Sequence, residues 1–466
     1  MIEQKTSLKQ NIIDRLREIA GAGNVLVDYE DRYCYAYDAM AIGDELYLPD
    51  AVVLPENKFQ ISEILKIANK NRIPVVTRGA GTNLVGGCIP LKGGIVLHTS
   101  KMNKIINIDK NNLLCTVETG VVVEKLQQAV EKEDLFYPPD PASLKVSTVG
   151  GSVAQSSGGP RGFKYGTTKD YTLALEAVLA DGTIIKTGGK TVKNVTGYNL
   201  NQLLVGSEGT LAVVTEVTLR LAPKPEKRQV LLVCFDSIDK AVNAVTGIIL
   251  ARITPSTLDI MDKNTMQTIE KFHKTGLPTD MDAVLIIEVD GFKESVRTQT
   301  EQIMKICQDF GAENIRASQN EQEAEEIWFA RRSAFGAVSR LRPNVFTEDA
   351  TVPRDKIPEM MREIRKIADK YNLTVCIMGH IGDGNIHPNF SLDLRDKDEA
   401  QRFEKAVEEL FDAAIALGGT LSGEHGIGFS KLQFMGKALG AKNIELMRAI
   451  KNIFDPNGIL NPGKAV

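Results

Sequence analysis

The sequence predicts an α+β protein with two main domains. Three observations lead to this prediction: a strand–helix–strand pattern that ends in a glycine-rich loop, a charged boundary near the middle of the chain, and a second region in which strand–helix–strand order repeats. At 466 residues the chain is longer than one typical domain. Its composition, 43% hydrophobic and 25% charged, is ordinary for a globular protein.

Residues 50–81 predict a strand, a helix and a second strand. Val52–Leu54 is a short apolar run, and Ile61 and Leu65 belong to the apolar stripe of a helix. Val75-Val76 then leads into the first glycine-rich loop. A βαβ unit of this kind implies a parallel pair of strands. Further strands are predicted near 95–97, 105–108 and 113–117, a helix over 122–133, and a hairpin with an Asp181-Gly182 turn.

A charged, proline-rich stretch, PKPEKR (223–228), predicts a domain boundary. After it, strand–helix–strand order occurs twice, over 230–259 and again from 283 onwards. This order predicts an antiparallel sheet that is covered on one face. A long helix is expected near 397–417.

Composition argues against several classes of function. The net charge of −4 gives no field that would favour nucleic acid. The sequence has no run of about 18 apolar residues, so no membrane span is predicted. The first 21 residues predict an amphipathic helix rather than a signal peptide. Six scattered cysteines without a C-x-x-C pair argue against an iron–sulfur cluster or zinc ribbon, and they fit a reducing cytoplasm.

Two of the five histidines, His380 and His387, flank a run of small turn residues in GHIGDGNIHPN (379–389). Asp-Gly favours a two-residue hairpin turn. With Asp383-Gly384 at the tip, His380 faces His387, and the two imidazoles share one face of the hairpin. Paired imidazoles are typical of a metal site. A polar hairpin with two solvated histidines is the alternative.

Three glycine-rich stretches suit a large, phosphate-bearing ligand that is held mainly by backbone groups. They cover residues 77–87, 138–171 and 206–217. The first follows a predicted strand, but it is neither the G-x-G-x-x-G dinucleotide fingerprint nor a P-loop. Loops as long as the second are uncommon in compact domains unless they are functional.

Seven motifs follow one another along the chain from about Leu48 to its end. They are R-G-A-G-T (78–82), T-V-G-G (148–151), G-S-E-G-T (206–210), W-x-x-R (328–331), G-H-x-G-D-G-N-x-H (379–387), G-E-H-G-I-G (423–428) and D-P-x-G-I-L-N-P-G-K (455–464). In these motifs the chain resembles the FAD-linked oxidases of the vanillyl-alcohol-oxidase (PCMH-type) family. Within that family it is most similar to the branch that holds D-lactate dehydrogenases, glycolate oxidase FAD subunits and D-2-hydroxyglutarate dehydrogenases.

The resemblance implies an order of domains along the chain. An N-terminal helical segment (1–46) precedes a PCMH-type FAD-binding domain (47–224). An α+β cap domain that binds substrate follows (225–425), and a C-terminal helical segment (426–466) returns to the FAD-binding domain.

The resemblance also implies which residues hold FAD. Arg78 to Asn83 would wrap the pyrophosphate, Glu208 would lie near the adenosine half, and Asn461 would lie near the isoalloxazine. Some relatives attach the flavin covalently through a histidine in the first loop, where this chain has Thr82, so the expected FAD is non-covalent. The full implied set is Arg78, Gly79, Ala80, Gly81, Thr82, Asn83, Gly87, Pro141, Thr148, Gly150, Gly151, Ser157, Gly158, Tyr165, Gly166, Glu208 and Asn461.

The catalytic residues are implied in the same way. Glu424 would join His380 and His387 as ligands of one divalent ion, Zn²⁺, Fe²⁺ or Mn²⁺, which would bind the substrate and lower its hydroxyl pKa. His425 would be the base that takes the hydroxyl proton. Arg331 would clamp the substrate carboxylate, although its neighbour Arg332 could be confused with it. Asn389 would also reach the substrate. His98 and His273 fit no motif and are interpreted as structural.

One departure from the family narrows the substrate. The D-2-hydroxyglutarate enzymes carry a threonine and a lysine for the distal carboxylate, and here those positions correspond to Phe335 and Thr347. The expected reaction is therefore oxidation of a short D-2-hydroxy acid, D-lactate to pyruvate, with hydride transfer to flavin N5. A glycolate oxidase FAD subunit, a non-catalytic flavin electron-transfer subunit and a sugar or alditol oxidase are the alternatives. The expected electron acceptor is an electron-transfer flavoprotein, an iron–sulfur subunit or a quinone.

Overall fold

The structure, a computed structural model, describes residues 6–43 and 45–466. The predicted N-terminal helix falls partly on residues 1–5, outside the described residues. Within them, the helices are α1 (Gln10–Ala20), α2 (Tyr29–Tyr33), α3 (Lys58–Asn71), α4 (Val123–Glu131), α5 (Val149–Gln155), α6 (Gly162–Tyr165), α7 (Thr168–Tyr171), α8 (Leu200–Leu204), α9 (Ile238–Leu250), α10 (Lys263–Phe272), α11 (Lys293–Asp309), α12 (Glu321–Val338), α13 (Ile357–Lys370), α14 (Lys397–Ala416), α15 (Met435–Leu439) and α16 (Ala441–Phe454).

The strands alternate with these helices and confirm the predicted α+β class. They are β1 (Val25–Leu26), β2 (Ala51–Val53), β3 (Val75–Arg78), β4 (Ile95–His98), β5 (Ile105–Asp109), β6 (Leu114–Glu118), β7 (Leu135–Phe136), β8 (Thr172–Val178), β9 (Ile184–Gly188), β10 (Val213–Arg220), β11 (Ala222–Pro223), β12 (Lys227–Phe235), β13 (Thr257–Asp262), β14 (Ala283–Gly291), β15 (Asn314–Ala317), β16 (Asn344–Thr347), β17 (Ala350–Thr351), β18 (Thr374–His380) and β19 (Asn385–Leu392).

Internal contacts divide the chain into two units. The described residues of the first are 6–43, 45–157, 167–224 and 424–466, and the second contains 158–166 and 225–423. The short segment 158–166 therefore groups with the second unit, although the sequence placed it inside the FAD-binding range. Its Lys164 and Tyr165 both hydrogen-bond to the carboxylate of Asp290 on β14. Among the described residues, no helix combines the length and the apolar composition that a membrane span requires.

The first unit begins with the predicted βαβ pattern. The side chain of Asn57 accepts hydrogen bonds from the backbone N–H groups of Phe59 and Gln60, which starts α3. Its apolar stripe, Ile61 to Ala68, is buried. The strands β2 and β3 run parallel, but they are not neighbours, because β4 lies between them and pairs with both. A five-stranded antiparallel sheet follows, in the order β5-β6-β10-β8-β9.

The C-terminal residues complete the first unit. The backbone N–H of Val75 donates to Ile459 (2.7 Å), and that of Asn461 donates to Val75 (2.8 Å). Lys451 on α16 donates to the carbonyl oxygens of Thr210 (2.6 Å) and Leu460 (2.8 Å). The last residues of the chain therefore lie beside β3, the strand that carries the first glycine-rich loop.

The second unit is built on one antiparallel sheet, in the order β15-β12-β14-β13-β18-β19-β16, with β17 paired to β19. The expectation that helices cover one face of this sheet is wrong. All residues of β14 from Ala283 to Asp290 are buried, including both Leu285 and Ile286, whose side chains point to opposite faces. The apolar run from Ala283 to Ile287 in β14 is typical of a strand that is covered on both faces.

Candidate active site

The histidine hairpin is formed by β18 and β19, but its register differs from the prediction. His380 lies opposite Asn385, and His387 lies opposite Met378. The predicted register is wrong by two residues because the turn spans 381–384 rather than Asp383-Gly384 alone. A shift of two keeps each side chain on its predicted face. The two imidazole centroids are therefore still only 5.2 Å apart.

Both histidines are buried, with exposed fractions of 6% for His380 and 5% for His387. This burial rules out the alternative of two solvated imidazoles. A ring nitrogen of His380 lies within 4.8 Å of a ring nitrogen of His387. Two imidazoles at this separation fit the donor set of a divalent transition metal.

A buried carboxylate that the sequence analysis missed joins this pair to the arginine. Asp259 on β13 accepts a hydrogen bond from Nδ1 of His380 and another from Nε of Arg331, both at 2.7 Å. Burial alone would raise the pKa of Asp259, but electrostatic interaction with His380 and Arg331 and the hydrogen bonds that they donate hold it below its ordinary value. The signal in the sequence is an aspartate between two apolar residues, Leu258 and Ile260.

Arg331 lies on α12. This helix carries Trp328, the one tryptophan of the chain, which anchors it. The indole Nε1 of Trp328 donates to the buried carboxylate of Glu288 at 2.8 Å. Arg331 is mostly buried, and its Nη1 also contacts the Met378 sulfur at 3.0 Å. Arg332, the alternative clamp, instead pairs with Glu325 and is half exposed.

A second buried carboxylate, Asp349, was also missed. Its Oδ2 accepts hydrogen bonds from the hydroxyl of Ser422 (2.5 Å) and from the backbone N–H of Gly423 (3.0 Å). One of its oxygens lies within 4.8 Å of a ring nitrogen of His387. Asp349 thus fixes the chain immediately before Glu424, at the end of the second unit.

Asn389 is held within the sheet. Its amide donates to the carbonyl oxygens of Cys376 (3.2 Å) and His387 (2.8 Å), and its oxygen accepts from the hydroxyl of Thr347 (2.7 Å). Both amide hydrogens are therefore used inside the second unit. Phe335 lies one helical turn after Arg331 on α12, and its side chain is 44% exposed.

In the first unit, Arg78 lies at the end of β3 with 7% of its surface exposed. Its Nη1 donates to the carbonyl oxygen of Tyr37 at 2.6 Å. Gly81 has a φ of +76°, and a Cβ there would lie 2.1 Å from Nη2 of Arg78. The glycine therefore makes room for the guanidinium, a packing requirement that no local sequence pattern indicates.

The remaining predicted FAD residues are spread over the same unit, except Gly158, Tyr165 and Gly166. The side chain of Thr148 caps α5 by accepting from the backbone N–H of Gly151. A Cβ at Gly150 would lie 1.6 Å from the hydroxyl of Thr119, so this glycine is required for packing. Ala80 is exposed, whereas the residues that are half-buried are Gly79, Gly81, Thr82, Asn83, Pro141, Gly151 and Ser157.

Several buried polar atoms near these residues suit a polar ligand such as FAD. Within residues 6–43 and 45–466, the buried polar atoms without a hydrogen-bond partner include Thr77 Oγ1, Asn83 Nδ2, Ser147 Oγ and Ser152 Oγ. Buried polar groups are rarely left unsatisfied in a functional protein. The donor and acceptor set therefore fits a bound dinucleotide.

Glu208 and Asn461 connect separate parts of the first unit. The two carboxylate oxygens of Glu208 accept from the backbone N–H groups of Ile427 and Gly428, each at 2.7 Å. The amide of Asn461 donates to the carbonyl oxygens of Gly87 (2.8 Å) and Glu208 (2.7 Å). Burial raises the pKa of Glu208 in spite of these donors. Glu208 therefore fixes the turn that directly follows Glu424 and His425.

Buried charges surround the first loop. Lys464 donates to Gly87, Ile89 and Asn461, and burial lowers its pKa to about 8. Burial also raises the pKa of Asp38 to about 6, beside the thiol of Cys88. These shifts indicate that the loop lies in a strongly desolvated environment.

Comparison with known proteins agrees with this arrangement. The family described as "FAD binding domain" matches residues 49–188, and the family described as "FAD linked oxidases, C-terminal domain" matches residues 224–465. The glycolate oxidase subunit GlcD of Bacillus subtilis is 47% identical over 98% of this chain and 97% of its own. A D-lactate dehydrogenase of Archaeoglobus fulgidus is 39% identical over 89% of this chain and 91% of its own.

Solved structures show the same fold. The structure of p-cresol methylhydroxylase with substrate bound has a TM-score of 0.82 and 19% identity, and the match covers 98% of this chain and 96% of that one. The sequence matches confirm the resemblance inferred from the seven motifs. The chain belongs to the family of FAD-linked oxidases.

Proposed function

We propose that the protein oxidises a short D-2-hydroxy acid, D-lactate to pyruvate, with FAD as the electron acceptor. The observation that carries the proposal concerns one carboxylate, that of Asp259. It accepts a hydrogen bond from His380, which belongs to the buried imidazole pair, and a second one from Arg331. An imidazole pair suits a metal, and a guanidinium suits a carboxylate. Relatives named D-lactate dehydrogenase support this choice of substrate, whereas relatives named as a glycolate oxidase subunit support the alternative, glycolate.

His380, His387 and Glu424 would hold one divalent ion, Zn²⁺, Fe²⁺ or Mn²⁺. When bound, the ion would supply a Lewis acid that lowers the pKa of the substrate hydroxyl. Asp349 supports the role of Glu424, because it fixes Gly423, the residue before it. His425, the next residue, would accept the hydroxyl proton.

FAD would be held non-covalently by the first unit, with Arg78 to Asn83 at the pyrophosphate. It supplies the acceptor for the hydride that leaves C2 of the substrate. Glu208 and Asn461 support the site by fixing the loops around it. Arg331 would pair with the substrate carboxylate through its two Nη groups. Because both amide hydrogens of Asn389 are used within the sheet, we assign it a role in positioning His387.

Electrons taken up by FAD would go on to an acceptor: an electron-transfer flavoprotein, an iron–sulfur subunit or a quinone. The relatives named as a glycolate oxidase subunit favour a complex with an electron-acceptor subunit, such as an iron–sulfur protein or an electron-transfer flavoprotein. A cytoplasmic location fits the six cysteines, all of which are free thiols.

Substrate size tests the proposal. With an artificial electron acceptor, kcat/KM should be highest for D-lactate, lower for glycolate and lowest for D-2-hydroxyglutarate. Phe335 offers no partner for a second carboxylate, which should cost a factor of about ten or more, or roughly 1–3 kcal/mol. Phe335→Thr should reduce the difference in kcat/KM between D-lactate and D-2-hydroxyglutarate. Phe329→Thr, a half-exposed phenylalanine on the same helix, is the matched control.

The same assay separates the alternatives. A higher kcat/KM for glycolate would assign the chain to the glycolate oxidases. An absence of turnover with every hydroxy acid would instead indicate a flavin subunit without substrate chemistry. An unchanged preference in Phe335→Thr would show that this ring does not limit substrate length.

A further inference from the structure

Asp259 is a fully buried charged group of the second unit to which the proposed reaction assigns no role of its own. It lies on β13 directly opposite His380 on β18 and is fully buried. An unpaired carboxylate in such a position would be strongly destabilising. Its two oxygens are instead divided between two partners: Oδ1 accepts from His380, and Oδ2 accepts from Arg331.

The contact with His380 decides which ring nitrogen is available as a ligand. An ionised carboxylate can only accept, so Nδ1 of His380 must carry the hydrogen. Nε2 is then left with its lone pair, which is the form that binds a metal. A carboxylate behind a metal-binding histidine also fixes the orientation of the ring.

The contact with Arg331 decides which hydrogen-bonding edge of the guanidinium is available. Asp259 accepts from Nε, at 2.7 Å. In the described part of the chain, neither Nη nitrogen of Arg331 is paired with a carboxylate. The fork formed by the two Nη groups is therefore kept for an incoming carboxylate.

We propose that Asp259 is the positioning residue that joins the metal ligand His380 and the carboxylate clamp Arg331, so that metal affinity and substrate affinity depend on one side chain. The inference rests on the proposed function and deepens it. Asp259 itself does not touch the substrate; it acts through its two partners.

A neighbour on the same strand provides a matched control. Asp262 is also fully buried, but its carboxylate caps α10 through Thr265 and accepts from the backbone N–H of Ile377. Asp262→Asn should therefore lower the free energy of unfolding without affecting either His380 or Arg331.

The test compares Asp259→Asn, Asp259→Glu and Asp262→Asn with the wild type, all loaded with FAD. The dissociation constant for Zn²⁺ is measured by competition with a chelator, KM and kcat are measured with D-lactate, and unfolding is followed in urea. Asp259→Asn places an N–H₂ group against one of its two donors. We expect Zn²⁺ affinity to fall by about 10–100-fold and KM to rise by a similar factor. Asp259→Glu keeps the charge and should recover part of the Zn²⁺ affinity and part of the affinity for D-lactate. This variant also keeps the proposal testable if Asp259→Asn does not fold.

A double variant separates the effect of Asp259 on His380 from its effect on Arg331. In an Arg331→Lys background, Asp259→Asn should have little further effect on KM measured at saturating Zn²⁺, but it should still weaken Zn²⁺ binding through His380. The proposal is overturned if Asp259→Asn retains both affinities, or if Asp262→Asn lowers them equally. A wild type that binds neither Zn²⁺ nor D-lactate would overturn the proposed function, and this inference with it, whereas a normal wild type with normal variants overturns only the inference.

Discussion

Replacing Arg331 with lysine is expected to lower kcat/KM for D-lactate by one or more factors of ten, each worth about 1.4 kcal/mol. Lysine keeps the charge but has neither an Nε–H for Asp259 nor a planar fork for the substrate carboxylate. The loss should appear mainly in KM, because the carboxylate is bound in both the ground state and the transition state. Steady-state kinetics with an artificial acceptor measure it.

Arg332→Lys is the matched control for this variant. Arg332 is next to Arg331, but it is half exposed and pairs with Glu325. Its replacement should change kcat/KM little, since exposed ion pairs contribute about 1 kcal/mol or less. Equal losses in the two variants would contradict the role of Arg331 as the clamp.

His380→Ala and His387→Ala are each expected to remove the metal and most of the activity while the protein keeps its FAD. Both histidines lie in the second unit, whereas Arg78 and its glycine-rich loop lie in the first. Metal analysis of the wild type should find about one transition-metal ion per chain, because the donor set suits one tetrahedral or octahedral site. Acid should release all of the flavin from every variant.

His273→Ala provides the control, since His273 contacts Phe329 and lies in no motif. It should retain both metal and flavin. Retention of metal and activity by either hairpin variant would contradict the proposed metal site. Flavin that stays attached to acid-denatured protein would contradict non-covalent binding.

Local patterns in the sequence predicted most of the secondary structure. The apolar stripe of α3 and the turn between β8 and β9 both depend on neighbouring residues. The position of β4 between β2 and β3 could not be predicted in this way, because strand order is decided by packing between distant segments.

The same distinction holds for the candidate site. The histidine hairpin could be predicted because its two strands are adjacent in sequence, and an error of two residues in register left the side chains on the correct face. Asp259 was missed because its partners, His380 and Arg331, are brought to it by β18 and α12. Asp349 was missed for a similar reason, since it meets Ser422 and Gly423 only in the folded chain.

The central claim is that the flavin of this protein takes electrons directly from a short D-2-hydroxy acid. Anaerobic stopped-flow mixing of the FAD-loaded, metal-loaded protein with single substrates tests it most directly, because no acceptor or partner takes part. We expect D-lactate to bleach the flavin absorbance rapidly, D-2-hydroxyglutarate to do so poorly, and L-lactate hardly at all. Equal or faster bleaching by D-2-hydroxyglutarate, or equally fast bleaching by L-lactate, would contradict the account.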